Sequence, residues 1–504
     1  MQIIGITFPF IILIYHTLNI YQQSHYDFLK LINTYKKLYI SKIYMYILYI
    51  MLFISVFSFK YCNIIIFILG LVSLLFRGKY IIKLKFTNRI IRLIITTILV
   101  YSLLLYLSYS NILFIMLVII YPFIIYLINL INYPIEYFIN YYYILKAKKK
   151  LKQNKNLIKI AITGSFGKTT IKNIINEILK TKYITLSTPK SYNTLLGITK
   201  TINESLNNST EVLIVEMGAN HIGEINKMKK LIDPDISIIS DIGKQHMSTF
   251  KTISNVLKAK LEIINFNKEK SITIINNDNI YLKHLIVKNK LIYRAGINKN
   301  KDIYASNIKV KENFTSFNII DNIYQNKLLV STRLLGEHNV NNILIAYLTS
   351  KILGVEDNSI ISTLDKIEPV ENRLKYKKIN NIHIYDDSYN SNIVGFKNAI
   401  KVLLNTNTLK VIITPGIVDG GIMSKEINEE IAHILNKSNI DEIYLINNSE
   451  IKYYKNILKK YILFNSFKDA YNHFLNTYTL EEVSLLIEND LPDSYYEGWL
   501  NETR

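Results

Sequence analysis

The chain holds one cysteine in 504 residues, Cys62, and it borders an apolar segment. A disulfide framework and a cysteine metal cluster are both excluded. Acidic residues are scarce at the start: residues 1–145 carry Asp27 and Glu136 against eleven lysines and arginines. The N-terminus has no basic leader and no small-residue cleavage site, so a removed signal peptide is not expected. The long apolar segments lack ionisable side chains apart from His16, Arg92 at the edge of the fourth, and Lys60 at a hairpin tip. A transport ATPase would need charged or broken intramembrane helices, so this scarcity argues against an ATP-driven transporter.

The apolar segments cover 3–20, 43–59, 63–76, 91–109 and 112–133, within a chain that is 49% hydrophobic. About 20 helical residues cross a bilayer, so all five read as spans, the short third one pairing with the second. Basic residues gather in loops 21–42 and 77–92 and again at Lys146, Lys148, Lys149 and Lys150. The positive-inside rule puts those loops in the cytoplasm, the N-terminus outside, and everything after residue 145 in the cytoplasm. A net charge of +21 fits either nucleic acid or membrane topology with attraction to anionic lipid. Its segregation into loops favours the lipid bilayer, and no nucleic-acid partner is expected.

After residue 157 the pattern changes. Short apolar runs at 212–215, 236–239, 272–275, 411–413 and 443–446 alternate with helical periodicity. That alternation predicts α/β layers around a mostly parallel sheet, with ligands at the carboxyl ends of the strands. The run 161–170 reads AITGSFGKTT, an apolar strand, two glycines, a Lys-Thr pair and then a helical stripe of Ile171, Ile174, Ile175 and Ile178. Such a strand–loop–helix unit cradles phosphates. Glycines admit backbone N–H groups, Lys168 meets the outer phosphates and Thr169 holds Mg²⁺. The spacing GxxGKT is two residues shorter than the common loop.

Other candidates are ambiguous one by one. Glu216 ends the 212–215 strand, where a carboxylate binds Mg²⁺ or caps a turn. His246 binds metal or satisfies a loop, and Lys260, fourteen residues on, reads alone as a solvated helix-face lysine. Asn339, before an apolar helix at 343–352, either caps that helix or reads a base. Arg373 follows Pro369 at a domain boundary, as a surface arginine or a cation for a terminal phosphate. Asp386 and Asp387 end a strand at 382–385, where they suit ribose hydroxyls, metal or a turn.

Taken in order, GSFGKTT, SYNTLLG, VEMGANHIGEI, GKQHMSTF with AKLEI beyond it, GEHNVNN, Arg373 and DDSYNSN resemble the Mur ligase family, over about 157–425. EMGAN-x-GEI and DDSYN resemble most the branch that adds D-alanyl-D-alanine to a UDP-linked muramoyl tripeptide. The resemblance implies ATP-dependent amide ligation in peptidoglycan synthesis, through an acyl phosphate attacked by an amine. It implies that Gly164, Ser165, Gly167, Lys168, Thr169 and Thr170 hold ATP phosphates. Thr169 and Glu216 would bind one Mg²⁺. His246 would bind a second, with Lys260 carbamylated to supply its carboxylate. His338 and Asn339 would lie by the nucleotide, Arg373 by the γ-phosphate and Asp387 by the ribose. The implied partners are a muramoyl-peptide carboxylate donor and an amino-acid or dipeptide acceptor.

The chain also departs from that pattern. The family's N-terminal domain, which grips the UDP-sugar, has no room between 133 and 157. No KGSR-like segment occurs near the end, where 488–493 reads ENDLPD instead. That tail and Thr414-Pro415-Gly416 resemble a membrane-anchored subfamily. The expected organisation is transmembrane helices over 1–135, a central ATP-binding domain over 136–372 and a C-terminal Rossmann-like α/β domain over 373–504. The implied location is the bacterial cytoplasmic membrane, multi-pass, with the catalytic domains in the cytoplasm. Amide ligation on another lipid-linked or surface polymer, such as poly-glutamate, is the alternative reading. A pseudo-enzyme scaffold is disfavoured by the intact set Lys168, Glu216, His246 and Lys260.

Overall fold

A computed structural model describes residues 2–488 except 25, 30, 33–45, 48, 52, 55–61, 74–83, 108–115, 118, 190–191, 246, 266–267, 269, 288–290, 300–301, 390–392 and 419–422. The chain divides into two compact units, 1–142 and 143–504.

The first unit is helical. Its described elements are α1 (Gln2–Gln23), α2 (Cys62–Ser73), α3 (Asn88–Leu107) and most of α4 (Tyr121–Gln153). Leu13, Leu18, Tyr21, Ile90, Leu93, Tyr121, Ile125 and Ile128 form its core. Among the described residues one helix, α4, is long and apolar enough to cross a membrane. Of the third expected span the described part is a helix over Cys62–Ser73. The second, at 43–59, falls largely outside the described residues. Two sequence expectations change. Arg89 and Arg92, read as loop residues, lie inside α3, and Arg92 Nε pairs with Glu136 Oε1 at 2.6 Å. The apolar segment ending at 133 does not end the helix there; α4 runs on through Pro134 to Gln153.

The last turns of α4 belong to the second unit. Ala147 and Leu151 are buried in a core with Leu157, Ile198, Ile202 and Leu213. This stretch is tied to α6 (Leu195–Ser205). Lys150 Nζ donates to the carbonyl oxygens of Asn203 (2.7 Å), Leu206 (3.2 Å) and Ile202 (3.4 Å). Asn203 and Leu206 are orphan acceptors at the helix C-terminus, whereas the Ile202 carbonyl also takes the Leu206 N–H; a cation there is favoured by the helix dipole as well. Asn154 Nδ2 donates to the carbonyls of Asn207 and Thr210.

Two sheets build the second unit. The larger has nine strands in the order β2-β3-β1-β4-β5-β6-β7-β8-β9. Its leading strands are β1 (Ile158–Thr163), β2 (Thr185–Ser187), β3 (Val212–Glu216), β4 (Ile236–Ile239), β5 (Ile272–Asn276) and β6 (Leu291–Gly296). These pair in parallel with each other and with β7 (Ile303–Val310). β8 (Thr315–Asp321) and β9 (Asn326–Thr332) add an antiparallel meander. Alternation along the strands sends Ile160, Ile162, Val212 and Ile214 to one face, against α5 (Lys168–Leu179) and α9 (Glu337–Ile352). Ala161, Leu213 and Val215 go to the other, against α6, α7 (Glu224–Ile232) and α8 (Ile253–Leu261). Helices on both faces explain why these strands read as continuous apolar runs.

After α10 (Asp357–Lys366) the second sheet runs β10-β11-β15-β12-β13-β14. Its strands are β10 (Lys375–Ile379), β11 (Ile382–Asp387), β12 (Leu409–Thr414), β13 (Glu442–Ile446), β14 (Ile462–Phe464) and β15 (Val483–Glu488). All pair in parallel except β10 with β11. α11 (Ile393–Leu404) and α12 (Ser424–Lys437) cover one face, α13 (Phe467–Thr477) the other. Lys244 Nζ of the first lobe pairs with Glu426 Oε1 of the second at 3.2 Å.

Lys150→Met keeps the aliphatic stem and removes the cap on α6. We expect it to lower stability by about 1–2 kcal/mol, read by urea unfolding followed by far-ultraviolet circular dichroism. An unchanged midpoint would show that the three carbonyl bonds contribute nothing.

Candidate active site

β1 lies between β3 and β4, so the helices that follow it and its neighbours leave to opposite faces and a crevice opens at its carboxyl end. The loop out of β1 needs its glycines. Gly167 has φ +79°, and a Cβ there would stand 2.5 Å from Asn342 Oδ1. A Cβ on Gly164, φ +150°, would stand 2.0 Å from Ser240 Oγ. The loop is braced by Ser165, whose N–H donates to the Asp241 carbonyl (2.7 Å) and whose hydroxyl exchanges bonds with Gly243.

This loop opens into a cavity of about 810 Å³ reached by both lobes. Ser165, Gly167, Lys168, Thr169, Thr170, Glu216, Lys260, His338 and Asn339 line it from the first lobe, Arg373 and Asp387 from the start of the second. Gly164 sits just behind, and His246 lies outside the described residues.

Lys168 is folded back on its own loop, Nζ donating to the carbonyls of Gly164 (2.7 Å) and Ser165 (3.1 Å). Burial pushes its ammonium down to about 8; Glu216 opposes that shift and Arg373 adds to it. Thr169 Oγ1 donates to Glu216 Oε2 at 2.9 Å. Glu216 Oε1 accepts from Asn193 Nδ2 at 3.1 Å. Lys172 Nζ lies 3.6 Å from Glu216 Oε2, both side chains being 2% exposed.

Lys260 is not the solvated lysine that its helix suggests. It is buried on α8, and burial together with the Lys168 cation pushes it down to about 7, against the pull of Glu224, Glu216 and Glu262. Burying a cation among apolar neighbours favours the neutral amine.

His338 has a buried Nδ1 with no hydrogen-bond partner, and burial pushes the ring down to about 4. Asn341 Oδ1 is likewise buried and unpartnered, on the same cavity wall. Asn339 lines the cavity but does not cap its helix. Gly336 occupies the N-cap position of α9, and Asn339 lies inside the first turn. Its side chain is satisfied within the protein, donating to Leu335 O (2.8 Å) and accepting from Asn342 Nδ2 (3.1 Å).

Arg373 places its guanidinium 5.0 Å from the centre of the Tyr389 ring. Asp387 accepts from the Leu374 N–H at 3.1 Å. Burial pushes its carboxyl up to about 6; the Arg373 charge opposes that shift and the neighbouring Asp386 carboxylate adds to it.

These residues fit a nucleotide with Mg²⁺. Two glycines leave a cradle that a Cβ would fill, two buried polar atoms on the wall lack partners, and a hydroxyl and a carboxylate meet beside the lysine. Mg²⁺ on phosphates takes one or two protein oxygens and keeps its waters, so a cage is not required. Among the described residues no three His, Cys, Asp or Glu side chains converge as a metal cage. Sequence reasoning missed Lys172, Asn193, Asn341 and Asn342. The visible signal for Lys172 was a lysine set among Ile171, Ile174 and Ile175 on an otherwise apolar arc.

A glycine loop at the switch point of a parallel sheet, facing a second α/β lobe across one cavity, defines a two-lobed phosphate-loop α/β protein. The Mur ligase middle domain matches residues 162–350. The UDP-N-acetylmuramoyl-tripeptide–D-alanyl-D-alanine ligase of Buchnera aphidicola subsp. Acyrthosiphon pisum is 32% identical over 328 residues, 64% of this chain and 69% of that protein. The ligase of the same description from Buchnera aphidicola subsp. Baizongia pistaciae is 31% identical over 305 residues, 60% of this chain and 65% of that protein. The chain belongs to the Mur ligase family, and the match spans about two-thirds of the length of these relatives. In fold it is similar to the MurF ligase of Thermotoga maritima solved in complex with ADP, with a TM-score of 0.65, 24% identity, and 72% of this chain and 83% of that one covered.

His338 yields a pH expectation. Its folded pKa is depressed, so between about 6.5 and about 4 the unfolded chain takes up a proton that the folded chain refuses. Its contribution to stability is full above 6.5 and is lost as pH falls towards 4. Urea unfolding at pH 7 and pH 5 should show a smaller loss on acidification for His338→Gln than for the wild type. Equal losses would mean that the imidazole titrates normally.

Proposed function

We propose that the chain is an ATP-dependent, ADP-forming amide ligase of peptidoglycan synthesis, joining an amino acid or a dipeptide such as D-alanyl-D-alanine to a muramoyl peptide. The observation that carries this is the meeting of Lys168, Thr169 and Glu216 in one cavity with Lys260, His338, Arg373 and Asp387. In the reaction a carboxylate oxygen of the donor attacks the γ-phosphorus of ATP and ADP leaves. The amine nitrogen of the acceptor then attacks the acyl carbon, loses a proton, and phosphate leaves. Lys168 would quit its loop carbonyls for the phosphates, and Arg373 would bring a second cation to the transferring group. Thr169 and Glu216 would hold one Mg²⁺, which neutralises phosphoryl oxygens when bound. Asp387 suits ribose hydroxyls, and His338 with Asn341 suits the nucleotide.

For Lys260 we propose carbamylation. A lysine pushed down to about 7 is largely neutral at physiological pH, and the neutral amine is the form that adds to CO₂. The added carboxylate, with His246, would serve a second Mg²⁺. Without that carboxylate the amine would bring the metal no negative charge, and its protonated fraction would repel it.

Membrane anchoring is part of the proposal. It is supported by the 33-residue α4, whose apolar stretch is followed by Lys146, Lys148, Lys149 and Lys150, and by the basic loops before it. The chain would then be a multi-pass protein of the bacterial cytoplasmic membrane with its ligase lobes in the cytoplasm. A membrane-linked donor follows, since anchoring raises the effective concentration of a lipid-borne partner.

The purified full chain in lipid is incubated with ATP, D-alanyl-D-alanine and either lipid-linked or soluble UDP-linked muramoyl tripeptide, scored by phosphate release and product mass. Ligation that Lys168→Ala lowers about 10³-fold is expected, with higher kcat/KM on the lipid-linked donor. No product from either donor refutes the D-alanyl-D-alanine acceptor, and no product with single amino acids in its place refutes the ligase reading. Equal or higher kcat/KM on the soluble donor refutes the membrane-linked one.

Lys260→Ala should be nearly inactive and partly rescued by acetate but not by chloride at equal ionic strength. Full activity in Lys260→Arg would rule out the carbamate, because arginine stays cationic.

A further inference from the structure

Lys172 is a buried cation that the ligase scheme leaves without a role. It follows Thr169 by three residues on α5, so the two share a helix face. Lysine is almost never fully buried unless it is paired, and Lys172 is paired with Glu216. Its Nζ also donates to the Thr188 carbonyl at 2.8 Å. Thr188 Oγ1 in turn accepts the Glu216 N–H at 3.1 Å. Glu216 and Thr169 line the cavity, whereas Lys172 does not. The carboxylate is therefore gripped from the protein side by a fixed cation and faces the cavity beside the Thr169 hydroxyl.

We propose that Lys172 is a positioning residue that fixes Glu216 and keeps the divalent-cation site weak until nucleotide phosphates arrive. This rests on the assignment of Glu216 to a Mg²⁺ site. A buried carboxylate without a partner is costly and would draw a cation from solution. Lys172 supplies that compensation from within the fold. An ion entering alone meets a carboxylate already neutralised and an ammonium that repels it. The phosphates of a bound nucleotide restore the missing negative charge. The ion is thus admitted with the nucleotide and held poorly without it.

The test titrates the full chain with Mn²⁺ alone, and with Mn²⁺ plus ADP, following free Mn²⁺ by electron paramagnetic resonance. Lys172→Gln retains an N–H donor for Thr188 and deletes the charge; Lys172→Arg retains the charge. Lys172→Gln should bind Mn²⁺ without nucleotide about tenfold more tightly than the wild type, and Lys172→Arg within about twofold of it. Mn²⁺ should also raise the melting temperature of Lys172→Gln more than that of the wild type. If both variants hold Mn²⁺ as the wild type does, or both hold it more weakly, the inference is overturned. If Lys172→Gln folds only when Mn²⁺ is added, the inference is supported; if it folds in neither condition, the ion does not substitute for the lysine and the inference fails. A wild type that takes up no Mn²⁺ with ADP, indistinguishable from Glu216→Gln, would instead remove the metal-site assignment.

Discussion

The Glu216 carboxylate is a full charge withdrawn from water, and the surrounding segments are arranged to satisfy it. It ends β3 and is held by Thr169 and Lys172 from α5 and by Asn193 from the loop after β2. Three segments distant in sequence are brought together around one anion. The close approach also explains Gly218, where a Cβ would stand 2.8 Å from the Asn193 side chain. Charge compensation, hydrogen bonding and backbone shape are set by the same requirement. What remains beside the carboxylate on the cavity side is a hydroxyl and a lysine resting on loop carbonyls, a geometry suited to phosphate and a divalent ion.

Much of this was legible because strand and loop chemistry are local. The runs 212–215, 236–239 and 272–275 fall within β3, β4 and β5, and the Ile171, Ile174, Ile175 and Ile178 stripe is the buried face of α5. Strands covered on both sides carry continuous apolar runs, which a sequence displays directly. Residues whose meaning depends on distant partners were less legible. Lys260 looks like any helix lysine until the fold buries it, and Asn339 looks like a cap until Gly336 takes that position. Lys172 was missed because its partners, Glu216 and Thr188, are 44 and 16 residues away.

The N-terminal part shows the opposite difficulty. Hydropathy marks segments but does not say where a helix ends. The break at 133 reflects the arrival of tyrosines, asparagines and then lysines, none of which stops a helix, and Pro134 is absorbed within one. Arg92 seemed to belong to a basic loop because its partner, Glu136, lies 44 residues later. The Mur ligase middle domain matches 162–350, within the first lobe, and the helical unit lies outside that match.

The joint between α4 and α6 has a mechanical consequence. From residue 143 onward α4 is a stiff rod about 16 Å long, clamped to the end of α6 by Lys150 and to the following turn by Asn154. The other end of α6 begins at Leu195, beside Asn193 and Thr194 on the cavity rim. No slack linker separates these parts. A single helix thus joins the clamped end of α4 to the cavity rim, beside the loop whose Asn193 holds Glu216.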